Sequence, residues 1–309
     1  MGLKHKNIGV LITGVDSDIQ ARMLKGIEQY GKENDCNIAA FSWFTGAYEK
    51  GPHNVGELNI ASLPDLSLFD GIIVFANTGH IEWNRRKIED ILKDLTCPIV
   101  CVGGKMEDYY SIMTDSYTAM RKLVEHYVVD HQMKRLHFVK GVVGNPDAEA
   151  RFKAYVDVLS EHGIPVISER ISQGDFYVTG AEQAAREIMS SKLPFPEVII
   201  CANDTMALTM CDCLKRNGYR IPEDVAVSGY DYSFEGQDYN PSLTTVRTNF
   251  EGLGGNACRI LLEVLAGKDI PKETLLADEV ISILQEAYWL YPLYLSAAKL
   301  PERSFNEHI

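Results

Sequence analysis

Three pairs of neighbouring carboxylates have residue types and a spacing that could support general acid–base chemistry. These pairs are Asp16/Asp18, Glu107/Asp108 and Glu223/Asp224. Each pair has a simpler interpretation as a helix cap or as solvated loop charge. The sequence also lacks the Gly-x4-Gly-Lys-Ser/Thr, Gly-x-Ser-x-Gly and His-Glu-x-x-His motifs. No residue set demands catalysis, and we expect a protein that is not an enzyme and needs no cofactor.

Metal and dinucleotide sites are not predicted either. His126 and His131 are five residues apart, a spacing that does not place two side chains on one face of an α-helix. Cys211 and Cys213 would point apart on a helix. The segment GLGGNA at 252–257 fits a loose GxGxxA pattern, but it lacks a clean strand followed by an acidic ribose partner. We expect its glycines to allow close helix packing or to loosen the helix.

Composition and charge exclude further classes of function. The 309 residues carry 30 Lys+Arg against 43 Asp+Glu, and the net charge of −13 argues against nucleic-acid binding by this chain alone. No secretory signal precedes Ile8, and most of the seven cysteines lie in or beside apolar runs, as reduced thiols do. Gln285, Glu286 and Pro292 interrupt the apolar stretch 280–298. We therefore expect a cytoplasmic protein without a membrane span.

Short apolar runs alternate with amphipathic helices along the chain. Strands are predicted at 8–12, 37–44, 71–76, 99–102, 136–139, 198–201 and 225–229. Helices are predicted after the caps at 16–18, at about 116–131, at 147–161 and at 204–217. This alternation predicts an α/β protein of two doubly wound lobes, each built on a parallel sheet.

Ligands bind beyond the carboxyl ends of the strands in such sheets. The loops at these ends contain polar and aromatic side chains at 16–18, 77–80, Lys105, 145–151, 203–204 and 230–231. Polar groups of this kind fix hydroxyls, and aromatic groups cover apolar faces of a ligand. We expect two lobes to present these loops to a small molecule.

The second half of the chain contains AND-x-MA at 202–207, IPEDVAVSGYD at 221–231 and PSLTTV at 241–246. Weaker matches extend over about 7–290 and include IGVLI at 8–12, DGIIV at 70–74, a D-S-Y segment at 115–126 and NPDAEARFKAY at 145–155. In order and spacing these motifs resemble the ligand-binding core of LacI/GalR-type bacterial transcription regulators. The resemblance implies a periplasmic-binding-protein-like fold of type I, with two lobes hinged by three crossings.

The resemblance also implies which residues bind ligand. They are Arg151, Asn203, Asp231, Phe176, Asp115, Asp147, Asp16 and Gln20. In this family an Arg at the position of Arg151 binds ligand oxygens, and an aromatic at the position of Phe176 stacks on the ligand. Three of them have an alternative, since Arg151 could cap a surface helix, Phe176 could be core and Asp231 could close a turn. Asp204 is expected only to cap its helix.

Family members have lobes that exchange chain segments. By the resemblance, the N-terminal lobe spans 7–133 plus 247–277, the C-terminal lobe spans 134–246 plus 278–290, and 291–309 is a tail or linker. Regulators of this type open with a helix-turn-helix that reads DNA, for which the residues before the first strand leave no room. We expect DNA contact only through a segment absent from this chain.

Together these features predict the sensing domain of a LacI/GalR-like regulator, homodimeric, with a sugar or sugar-like effector. The resemblance implies signalling by lobe closure, and a tenfold preference of the ligand for the closed state is worth about 1.4 kcal/mol. Two alternatives stay open: a solute-binding protein of a sugar transporter, and sensor lobes that drive an output domain after Ile309. An enzyme on the same scaffold is a more distant third.

Overall fold

The computed structural model describes residues 5–44, 52–76, 82–106 and 108–282. The loop at 77–80, Glu107, the tail 291–309 and most of the stretch 280–298 lie outside these residues. In the described part of the chain, no helix combines the length and apolar character needed to cross a bilayer.

The chain divides into two compact units. Unit one consists of Met1–Val124, Val142–Val158 and Val246–Val280, and unit two of Glu125–Gly141, Leu159–Thr245 and Ile281–Ile309. The family resemblance implies that 142–158 belongs to the C-terminal lobe, whereas here this segment belongs to unit one. The implied lobe boundaries stay a prediction.

Unit one contains a six-stranded sheet. Its strands are β1 (Lys6–Thr13), β2 (Cys36–Trp43), β3 (Gly71–Phe75), β4 (Ile99–Val102), β5 (Tyr110–Thr114) and β11 (Glu273–Leu276), in the order β11-β5-β4-β3-β1-β2. Its helices are α1 (Asp18–Glu33), α2 (Pro52–Leu58), α3 (Glu82–Leu92), most of α4 (Ser116–Glu125), most of α5 (Pro146–Glu161) and α9 (Phe250–Leu265). β1 pairs in parallel with both β2 and β3, as the run of branched residues in it predicts.

The sheet of unit one is covered on both faces. Ile8, Val10 and Ile12 belong to one apolar cluster with residues of α1 and α9. Leu11 belongs to a second cluster that includes Trp43. Alternate residues of a strand point to opposite faces, so these two clusters bury the middle of β1.

Two glycines let α1 and α9 approach each other closely. A Cβ atom on Gly254 would lie 1.9 Å from the carbonyl oxygen of Met23, and one on Gly26 would lie 1.9 Å from that of Glu251. No larger residue fits at either position without a shift of backbone. This contact confirms close helix packing as the reason for Gly254 in the GLGGNA segment.

Unit two holds a second six-stranded sheet in the order β12-β10-β9-β8-β6-β7. Its strands are β6 (Leu136–Val139), β7 (Ile171–Ser172), β8 (Val198–Cys201), β9 (Ala226–Asp231), β10 (Thr244–Arg247) and β12 (Glu279–Ser282), the last two shared in part with unit one. Its helices are α6 (Val178–Ser190), α7 (Asp204–Arg216) and α8 (Phe234–Asp238). The parallel pairing of β6 with β8 and of β8 with β9 confirms the predicted α/β class with parallel sheets.

A π turn follows α4 and spans His126–Asp130. The backbone N–H of His131 donates to the carbonyl oxygen of His126, 3.2 Å away, and this i to i+5 bond places side chains five apart on one face. The two Nε2 atoms lie 3.1 Å from each other. The prediction from spacing was therefore wrong for this pair, because it assumed an α-helix.

His137 on β6 gives unit two a pH-dependent stability. The ring is 3% exposed, and Nε2 lies 3.0 Å from the Ser172 hydroxyl. Burial, helped by the charge of Arg170, lowers the pKa of His137 from 6.5 to about 4. The unfolded chain takes up this proton below about pH 6.5 and the folded chain does not until about pH 4, so stability falls as the pH drops through that window, by about 3 kcal/mol in total.

Urea unfolding of unit two between pH 7.5 and 4.5 measures this loss. His137→Gln, which cannot titrate, should lose the corresponding part of the slope of stability against pH. His162→Gln, at an exposed position, should keep it. Equal slopes in the wild type and in His137→Gln would contradict the assignment.

Candidate functional site

In unit two, three of the predicted ligand-binding residues lie at or beyond the carboxyl ends of strands. Phe176 follows β7, Asn203 follows β8, and Asp231 is the last residue of β9. Asn203 and Asp231 are 8% and 7% exposed, and Phe176 is half-buried. The strand order brings their loops to one edge of the sheet.

Asn203 is the N-cap of α7. Its Oδ1 accepts from the backbone N–H of Met206 at 3.1 Å, and its Nδ2 donates to the carbonyl oxygen of Phe176 at 3.0 Å. The amide thus joins the loops after β7 and β8 and retains one N–H and one lone pair for another partner. The expectation that Asp204 caps this helix was wrong, because its neighbour takes that role.

Asp204 holds the loop after β9 instead. The side chain is 1% exposed. Its Oδ1 accepts from the hydroxyl of Thr245 at 2.6 Å and its Oδ2 from the backbone N–H of Ser233 at 2.7 Å. A buried carboxylate needs such donors, and these two fix the segment that directly follows Asp231.

Backbone strain concentrates in the same loops. Phe176, Asp231 and Tyr232 have φ angles of 70°, 111° and 57°, in a region that residues with a Cβ rarely adopt. Such conformations cost about 1 to 3 kcal/mol each and persist where the surroundings enforce them, often at ligand-binding positions. Here the hydrogen bonds of Asn203 and Asp204 hold the loops in these conformations.

In unit one, a serine hydroxyl connects two further predicted residues. Ser116 Oγ donates to Asp147 Oδ1 at 2.9 Å, and Nη2 of Arg151 lies 3.5 Å from the same hydroxyl. Asp147 and Arg151 are one turn apart on α5, so they share a face. Arg151 is 6% exposed, which excludes the alternative that it caps a surface helix.

The other predicted residues of unit one lie at helix starts. Asp115 is the N-cap of α4, and its Oδ1 accepts from the backbone N–H of Thr118 at 3.0 Å. Gln20 Oε1 accepts from the Ser17 hydroxyl at 2.8 Å, and Asp16 is exposed in the turn before α1. None of the hydrogen bonds described here joins Asp16 or Gln20 to Asp115, Asp147 or Arg151.

Two residues that hold these groups were missed at the sequence level. Ser116 lies in the D-S-Y segment and Thr245 in PSLTTV, so the signal was present in the motifs themselves. Both are buried hydroxyls, and a buried hydroxyl is expected to bond a neighbouring polar group.

Three buried thiols of the described residues are poor nucleophiles. Burial raises the pKa of the thiols of Cys101, Cys211 and Cys258 to about 12, which keeps them protonated and poorly nucleophilic. Within the described ranges, no group of three or more His, Cys, Asp or Glu could hold a metal ion. Unit two offers the carboxylate of Asp231 and the ring of Phe176, and unit one offers the guanidinium of Arg151. Groups of these kinds suit a polar ligand with an apolar face.

The known proteins to which this chain is similar include transcription regulators. The HTH-type transcriptional repressor PurR of Mannheimia succiniciproducens is 24% identical over 272 residues, which cover 87% of this chain and 78% of that protein. A complex of the transcriptional regulator CelR with cellobiose has a TM-score of 0.75 at 18% identity, with 91% of this chain and 85% of that one covered. A lac repressor dimer, bound to operator and the anti-inducer ONPF, has a TM-score of 0.74 at 19% identity over 92% and 95% of the two chains.

The family model of the periplasmic binding protein-like domain matches residues 124–282. That range is more than half of the chain, and it contains β6 to β10 with the loops that hold Phe176, Asn203 and Asp231. The resemblance to LacI/GalR-type regulators seen in the motifs is confirmed by these relatives. The chain belongs to the periplasmic binding protein-like domain family.

Proposed function

We propose that the chain is the effector-binding part of a LacI/GalR-like transcription regulator and that its effector is a sugar or sugar-like metabolite. The observation that carries the proposal is the strained edge of unit two, where Phe176, Asp231 and Tyr232 hold rare backbone conformations beside buried polar groups. A ring that stacks and a carboxylate that accepts hydroxyls are the two features that a sugar requires. The cellobiose complex of a protein with the same fold supports this ligand class.

In this proposal Asn203, Asp231 and Phe176 bind the effector from unit two. Arg151, Asp147, Asp115, Asp16 and Gln20 are the proposed contributors of unit one. The guanidinium of Arg151 is set by Ser116, which also bonds Asp147. A planar fork of donors matches vicinal hydroxyls or a carboxylate of the ligand.

The regulator would act as a cytoplasmic homodimer, and its DNA contact would come from a segment outside this chain. The acidic balance of −13 requires a separate basic segment for that contact. The relative from Mannheimia is a transcriptional repressor by name, and the lac repressor structure is an operator-bound dimer. Signalling by closure of the lobes is part of the same proposal.

Ligand-induced thermal stabilisation tests the proposal. In a screen of sugars, nucleosides and polyols, we expect a sugar or sugar-like compound to raise the melting temperature of the wild-type chain, since a ligand at a hundred times its Kd stabilises by about 2.7 kcal/mol. Arg151→Ala should abolish that shift, because the guanidinium donates to the ligand. Asp231→Asn, which exchanges acceptors for donors, should reduce it.

The matched control is Arg186→Ala. Arg186 lies on α6 with a side chain that is 68% exposed, and its loss should leave the ligand shift unchanged. An undiminished shift in Arg151→Ala would remove that residue from the site. A chain that is stabilised by nucleosides alone, or by none of the three ligand classes, would contradict the proposed effector.

A further inference from the structure

The π turn that follows α4 brings together two imidazoles outside the proposed effector site. His126 Nε2 and His131 Nε2 lie 3.1 Å apart. The rings are nearly perpendicular, with an interplanar angle of 88° and centroids 4.6 Å apart. All residues of the turn belong to unit two, so the pair is defined within one unit.

Asp130 orients one of these rings. Its Oδ2 lies 2.7 Å from Nδ1 of His126. A neutral imidazole has one N–H, and a carboxylate accepts it, so the proton of neutral His126 is on Nδ1 and its Nε2 carries a lone pair. This is the outer-shell arrangement that metal-binding histidines use, in which a carboxylate fixes the tautomer and raises the basicity of the ligating nitrogen.

We propose that His126 and His131 chelate a divalent transition-metal cation through their Nε2 atoms, with Asp130 as the positioning residue. Without a metal, His131 Nε2–H donates to His126 Nε2; with one, His131 carries its proton on Nδ1 and both Nε2 lone pairs face the cation. The carboxylate of Asp130 offsets part of the charge of the cation. Water or a further ligand completes the coordination.

The separation of the two nitrogens selects the class of metal. Two nitrogens that lie 3.1 Å apart, each about 2.1 Å from a metal, subtend an angle of about 95° at it. This angle is close to the right angle between neighbouring ligands in tetragonal or octahedral geometry and smaller than the tetrahedral angle. Imidazoles at such an angle suit Ni²⁺ or Cu²⁺.

The three side chains of the pair and its carboxylate differ in exposure. The side chain of Asp130 is 64% exposed, whereas that of His126 is 10% exposed, and His131 is half-buried. The imidazoles are thus held by their surroundings, while the carboxylate that orients His126 reaches solvent. A preorganised pair loses less side-chain entropy on binding than two exposed histidines would.

Titration of the untagged full chain with Ni²⁺ alone, followed by calorimetry and equilibrium dialysis, tests this proposal. Ni²⁺ is the probe because thiolates compete less for it than for Zn²⁺. We expect one equivalent to bind, and His126→Ala and His131→Ala each to weaken binding by more than about tenfold. Asp130→Asn should weaken it by about the same factor, since it acts through His126.

His131→Gln separates ligation from packing. A glutamine amide can still donate to His126 Nε2 and preserve the turn, but it is a poor ligand for the metal, so Ni²⁺ binding should be lost while the melting temperature without metal stays near the wild-type value. His162→Ala, at an exposed histidine outside the turn, should bind Ni²⁺ as the wild type does. Retention of one bound equivalent in His131→Gln, or wild-type binding no stronger than that of the variants, would overturn the proposal.

Discussion

Gly254→Ala is expected to destabilise unit one by about 3 kcal/mol or more, because the added methyl group would occupy the space of a backbone carbonyl on the neighbouring helix. Its position is 1.9 Å from the oxygen and 2.7 Å from the carbon of the Met23 carbonyl. Backbone cannot turn away as a flexible side chain can. One helix must therefore move relative to the other and to the sheet that both cover.

The next residue of the same helix provides the control. A Cβ on Gly255 would meet its nearest neighbour, the carbonyl oxygen of Gly26, at 3.5 Å, which is ordinary contact. Gly255→Ala should therefore stabilise by about 0.5 to 1 kcal/mol, the usual gain from alanine inside a helix. Urea denaturation of the two variants measures the difference, and effects of the same sign would contradict the packing described for α1 and α9.

Asp204→Ala is expected to cost unit two about 3 to 5 kcal/mol. The change removes the buried acceptor of the Thr245 hydroxyl and of the Ser233 backbone N–H. Each buried donor left unsatisfied costs about 1 to 3 kcal/mol, and the cavity adds to this loss. Because the loop after β9 contains Asp231, the variant should also weaken effector binding and increase proteolysis between β9 and α8.

Asp212 on the same helix is the matched control. It also accepts a short hydrogen bond, from the Tyr239 hydroxyl at 2.6 Å, but the residue is exposed. Asp212→Ala should cost less than about 1 kcal/mol, since water replaces the lost partner. Chemical denaturation followed by fluorescence compares the pair. Similar losses of stability in both variants would mean that the contribution of Asp204 to stability does not depend on its burial.

Most strands could be predicted from the sequence because fully buried parallel strands are short, branched and apolar. β4, β6 and β8 have the predicted bounds. β5 was not predicted, since Tyr110–Thr114 mixes polar and apolar residues at the side of the sheet next to β11. A strand that is buried on both faces is therefore easier to recognise from its local composition than a strand near the edge of a sheet.

The site was predicted in part, and the remainder depends on geometry that residue types do not encode. Asn203 and Asp204 are adjacent polar residues at a helix start, and either side chain could cap it. Only the position of Thr245, 41 residues further on, decides that Asp204 turns inward. His126 and His131 illustrate the same limit, because a single π turn changes which side chains are neighbours.

The pairing of α1 with α9 has a consequence for synthesis of the chain. Lys25 on α1 bonds Glu251 on α9, a partner that is translated 226 residues later. Until then a nascent chain on the ribosome carries an apolar stripe of Met23, Leu24 and Ile27 with no helix to cover it. All of Leu159–Thr245 is translated in the meantime. Holding chaperones should therefore associate with the first helix during translation and leave once residue 265 has emerged.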